Sequence, residues 1–203
     1  MTTIDAALRP LHTAHAGAAS HARTLVIGAS LALLMAATRG QHFASIDALP
    51  SASWAVFFLA GALLPSRWGF AAFFALATVL DISGLAAGTV ADWCMSPAYW
   101  VMLPAYAALW FGGRRYARMH RDAWNTVPRL ALVLVATAAV TYAISKGGFY
   151  FLSGQYPDGT LAGFLARVPQ YFPASLGTLA GYAAVGLGLD ALVRTMRTRG
   201  SRA

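Results

Sequence analysis

The sequence predicts an all-α integral membrane protein, a bundle of six transmembrane helices with both termini in the cytoplasm. Three observations predict it. Apolar residues make up 58% of the chain and charged ones only 11%, where an ordinary soluble domain is about a quarter charged. So few charges cannot build a polar shell around a core of this size, and the apolar surface must therefore face lipid. Six apolar stretches, nearly free of charge, recur along the chain and read as spans against the roughly 20 residues that cross about 30 Å of hydrocarbon. Finally, the fifteen Lys and Arg residues segregate between alternate loops, as the preference for cytoplasmic cations requires.

The stretches are residues 24–38, 52–64, 68–88, 97–111, 130–152 and 171–192. The first has the length of a signal-peptide apolar region, but 23 residues precede it and no clear small-x-small site follows. It is read as a retained helix. Gly28, Ala32 and Ala36 form a small-xxx-small stripe along it, suited either to packing inside the bundle or to the approach of another helix. The second stretch is short as drawn. The third carries Asp81, thirteen residues after Trp68, which puts the carboxylate roughly 20 Å along the span and in the outer half of the hydrocarbon. The fourth begins within "ADWCMSPAYW", residues 91–100, and the fifth carries Lys146 near its outer end. The sixth follows the long connection "SGQYPDGTLAGFLARVPQYF".

Direction follows from "GGRRYARMHR" after the fourth stretch and "RTMRTRGSR" at the tail, the densest basic segments, both expected in the cytoplasm. Twelve Lys and Arg then fall inside and three, Arg39, Lys146 and Arg167, fall outside or in an outer half. The chain reads as one domain over 1–203, with a cytoplasmic segment 1–23 and a basic cytoplasmic tail 194–203. The net charge of +8 is explained by insertion and calls for no nucleic acid. All seven acidic residues are Asp and fourteen of the fifteen basic ones are Arg, a usage typical of a GC-rich bacterial genome, so the membrane expected is the bacterial inner membrane. One cysteine excludes an internal disulfide framework. The single lysine follows Ser145, so there is no phosphate loop of the G-x-x-x-x-G-K-[ST] type, and no H-E-x-x-H is present.

The unusual polar residues collect on the outer side. The first outer connection carries Arg39, His42 and Asp47; the last carries Asp158 and Arg167. Asp81 is the sharpest signal, because an ionisable group at its depth costs about 2.5–3.5 kcal/mol on insertion scales and must face a partner or a water-filled cavity. Either it pairs structurally with Lys146 or Arg39, or it lines a ligand site. Cys94 is either a small buried apolar group or, among Asp92, Ser96 and Pro97 at a turn before a helix, an accessible thiol whose thiolate is favoured. One thiolate cannot build a closed zinc site. It suits an axial position on a metal already held in a macrocycle, a corrin or a haem.

These features resemble a known family. Six spans in about 200 residues with a ligand site outside are similar to the substrate-binding S-components of energy-coupling factor transporters. More narrowly, "HF" at 42–43, "LDISG" at 80–84, "ADWCMSPAYW" and "LARVPQYF" at 165–172 resemble the BtuM family, solitary S-components for vitamin B12. The resemblance implies that Cys94 gives a thiolate to the cobalt of cobalamin and that His42, Asp81, Tyr99 and Arg167 line the cavity. It implies uptake of cobalamin, with Arg167 meeting a phosphate or an amide carbonyl, and Cys94-dependent decyanation of cyanocobalamin as an accompanying step. It also implies lipid and, where one exists, a coupling protein with ATPases as partners. His42 on an outer loop is otherwise simply solvated, and Arg167 an interfacial anchor. Two other readings stand beside it: a haem- or quinone-binding redox protein with Cys94 or His42 as ligand, disfavoured because His12, His15, His21 and His120 fall in cytoplasmic segments, and an S-component for a different vitamin.

Overall fold

In the computed structural model, residues 3–39, 49–88, 97–120 and 126–200 are described. They form six helices: α1 (Thr3–Arg39), α2 (Ser53–Leu63), α3 (Trp68–Ala86), α4 (Met102–Met119), α5 (Thr126–Leu152) and α6 (Leu161–Gly200), with a 3₁₀ turn, Pro97–Val101, leading into α4. No strand occurs among the described residues. Four helices are long and apolar enough to cross a membrane: Ser20–Arg39 within α1, α3, α5, and Leu161–Arg199 within α6. α2 has 11 residues, about 16 Å of helix, and the second half of α4 carries Arg114, Arg115 and Arg118.

α2 is the centre of the molecule. It is apolar on every face, the pattern of a helix surrounded by protein, and Ala55 through Ala60 are all essentially inaccessible. It packs on α1, α3, α4 and α6, most extensively on α4. Two glycines allow that contact. A Cβ on Gly113 would overlap the Phe58 carbonyl oxygen, and one on Gly61 would overlap the Trp110 carbonyl oxygen. Phe57 stacks on Tyr106 at 4.2 Å between centroids, and Phe70 and Phe73 close around it. Leu25, Leu33, Val79, Leu132 and Val185, by contrast, point outward, as lipid-facing side chains do.

Local sequence sets the ends of these helices. Leu64 is extended (φ −96°, ψ 129°) because the ring of Pro65 excludes the helical conformation for the residue before it. Gly88 takes φ +71° after the last turn of α3, a left-handed position that glycine adopts without cost.

Several boundaries depart from expectation, among them the start of α1, at Thr3 and not near residue 24, and the end of α6, at Gly200 and not near residue 192. Residues 112–119 of the basic segment expected as a loop after the fourth stretch are the last part of α4, because arginine is a good helix former and cations suit a helix C-terminus. α5 starts at Thr126, four residues before the stretch drawn from apolarity. α6 starts at Leu161, so residues 161–172, Arg167 among them, are helix and not connection. Pro169 and Pro173 lie inside α6; each removes one N–H from the ladder, a loss that membrane helices accommodate through neighbouring groups and small local adjustments.

The ends of the bundle differ in chemistry. At one, Asp190 on α6 pairs with Arg23 of α1 and with Arg194, and Arg114 donates to the Pro65 carbonyl at 3.1 Å. At the other lie the C-terminal ends of α1, α3 and α5 and the N-terminal ends of α2 and α4, where a cavity opens.

Candidate functional site

Arg39, the last residue of α1, is buried against α3 and makes a fork-on-fork pair with Asp81: Nε donates to Oδ1 at 2.7 Å and Nη2 to Oδ2 at 2.6 Å. Its Nη1 donates to Ser53 Oγ at 2.8 Å and to Tyr106 OH at 2.9 Å. Four of the five guanidinium protons are thereby engaged, and both charges are buried, at 7% and 8% exposure. Burial of an ion pair is tolerable only with this degree of satisfaction. The Tyr99 hydroxyl, from the 3₁₀ turn, donates to Asp81 Oδ2 at 3.1 Å with Thr78 Oγ1 at 3.2 Å. Thr38 beside Arg39 accepts from the Ala52 backbone N–H at 3.0 Å, tying the end of α1 to the start of α2. One network therefore locks four helices and the turn at this end.

The network forms one wall of a cavity of about 520 Å³, within the range of small-molecule sites. Asp81, Tyr99 and Tyr106 line it on one side, Trp54, Met102 and Phe149 supply broad apolar surface, and Ser145 and Lys146 of α5 face it with Ser175 and Thr178 of α6. The combination of flat aromatic and thioether surface with scattered hydroxyls suits an amphipathic ligand that carries an apolar body and hydrogen-bonding fringes.

Of the residues singled out from sequence, Asp81 and Tyr99 meet on this wall. Asp81 is both things that were alternatives: a partner of Arg39, with Lys146 left aside, and a cavity residue. His42 and Cys94 lie outside the described residues. Arg167 is not among the residues lining the cavity; its guanidinium sits over the rings of Tyr156 and Tyr150, at 4.8 and 5.7 Å, a placement that cation–π attraction explains. The stripe on α1 does not mediate close packing at Gly28, whose Cβ position meets nothing within 4 Å.

Ser53, Tyr106, Trp54 and Ser145 escaped the sequence reading. Each sits inside an apolar stretch and carries no charge. The signal available for Tyr106 was a hydroxyl needing a partner inside a span, and for Trp54 a ring at the outer end of one. No family model and no curated protein matches this chain.

Proposed function

We propose that this chain binds cobalamin in the cavity beside Asp81 and Tyr99 and takes it up across the bacterial inner membrane. The observation that carries the reading is the contact of the Tyr99 hydroxyl with Asp81 on the cavity wall. These are two of the residues named by the likeness to BtuM proteins, and the segment that joins their elements is the one that contains Cys94. The aromatic and hydroxyl lining suits a corrin with its amide fringe. In this reading all six helices span, both termini are cytoplasmic, and the cavity faces the periplasm, because the opposite end of the bundle carries Arg23, Arg114 and Arg194. Cys94 supplies a thiolate to cobalt, and His42 is a further contact to the ligand. Transport proceeds alone or with a coupling protein driven by ATPases.

A chemical step follows from the thiol. When the Cys94 thiolate donates its pair to cobalt(III), the benzimidazole base is displaced and the trans cyanide bond weakens. Cyanide leaves with its bonding pair and is protonated by solvent, water takes the vacated position, and cobalt keeps its oxidation state. The test is a spectral titration of the purified full-length protein with cyanocobalamin, with cobalt and iron measured on the protein. Wild type is expected to bind cobalt-containing corrinoid with shifted visible bands. Cys94→Ala is expected to lose the shift and to bind at least about 10-fold more weakly, a factor of ten being about 1.4 kcal/mol. A Soret band with stoichiometric iron would replace this reading with the haem one.

A further inference from the structure

Two polar side chains on α5 face the cavity and take no part in the Arg39–Asp81 network. Ser145 is buried at 7% exposure, and its Oγ has no hydrogen-bond partner among the described residues. Lys146, the next residue, lines the same cavity and forms no ion pair among the described residues, whose pairs are Arg23–Asp190, Arg39–Asp81 and Arg194–Asp190. The first is costly as it stands, since a buried hydroxyl without a partner forfeits its hydration; Lys146 is exposed at the cavity, its ammonium free of any carboxylate among the described residues.

The charge count of the cavity gives them a common purpose. Among the described residues Arg39 and Asp81 cancel and no other carboxylate lines the wall, so their lining carries one net positive charge, that of Lys146. The Arg39 guanidinium has little capacity for a ligand, with four protons already donated. Ser175, across the cavity, commits its proton to the Tyr171 carbonyl at 3.1 Å. Arg167 lies over Tyr150 and Tyr156.

We propose that Ser145 and Lys146 form the subsite for an anionic group of the ligand, a phosphate or carboxylate, with the hydroxyl donating to one oxygen and the ammonium giving charge-assisted bonds to another. Resting on the cobalamin reading above, the group is the phosphodiester of the nucleotide loop. The subsite makes the cavity selective: a corrinoid lacking that phosphate forfeits these contacts and leaves both α5 groups unsatisfied.

The experiment compares cobalamin with cobinamide, which keeps the corrin and its amides but lacks phosphate and base, on full-length protein in lipid nanodiscs. Lys146→Met is expected to weaken cobalamin binding about 10- to 100-fold and Ser145→Ala about 3- to 10-fold. Cobinamide affinity should stay within about twofold in both, as for a site that shares no contact with the change, and this binding also shows that the variants fold. Lys146→Arg retains the preference for cobalamin. Equal losses for the two corrinoids, or no loss for either, overturn the subsite and leave the cargo assignment intact. Wild-type protein that binds neither corrinoid overturns both.

Discussion

Asp81→Ala is expected to cost about 3–5 kcal/mol, because it strands the Arg39 guanidinium in a site built for a neutral pair. Arg39 is 7% exposed and reaches no other carboxylate among the described residues. The loss also releases Tyr99, whose hydroxyl donates to Asp81, so the cavity wall loosens with the fold. In detergent the apparent melting temperature should fall on the order of 10 °C. Asp81→Asn, which keeps an acceptor, should fall less. Replacing both partners together, Arg39→Met with Asp81→Leu, should recover most of the stability, since removing a buried pair whole costs far less than breaking it, while leaving the ligand site without its polar wall. An Asp81→Ala protein that melts with wild type would show that the pair is not formed.

Gly113→Ala is the second large effect. The added methyl would overlap the Phe58 carbonyl oxygen and stand 2.9 Å from the Ala62 nitrogen. The obstruction is backbone, so no side chain can turn aside and the whole of α4 must move off α2. Overpacking of this kind costs about 1–3 kcal/mol, and the upper end is expected here. The displacement would reach the cavity, because the Phe57–Tyr106 stack bridges α2 and α4 and the bond from Arg39 ties the same tyrosine to α1. Gly28→Ala is the matched control, with open space at its Cβ position; it should be neutral or slightly stabilising, as alanine is the better helix former by up to about 1 kcal/mol. Equal melting of the two variants would remove the α2–α4 approach as the fold's tightest constraint.

Both effects fall on residues the amino-acid sequence presented unequally. Asp81 was conspicuous because a carboxylate in an apolar stretch has few physical explanations. Gly113 was one glycine among 19, and nothing in the order of residues distinguishes a glycine under a carbonyl from one facing open space. Arg167 shows the same limit in the other direction: it stands in a segment the sequence singles out, yet Tyr150 and Tyr156 hold it. α2 was legible as apolar, but its place at the centre of the bundle was not, since lipid and protein interior are equally apolar surroundings for a helix.

By itself the sequence determined that the chain is helical and lies in a membrane, and it singled out Asp81, because burial in hydrocarbon acts on each residue's own chemistry and so can be read one residue at a time. Only the tertiary structure decided that Asp81 pairs with Arg39 and leaves Lys146 facing the cavity, that α2 is core, and that Gly61 and Gly113 set the spacing of α2 and α4. These are facts about distances between groups 42 or more residues apart in the chain. Pair energies of charges and packed surfaces depend on such distances, which no local pattern encodes.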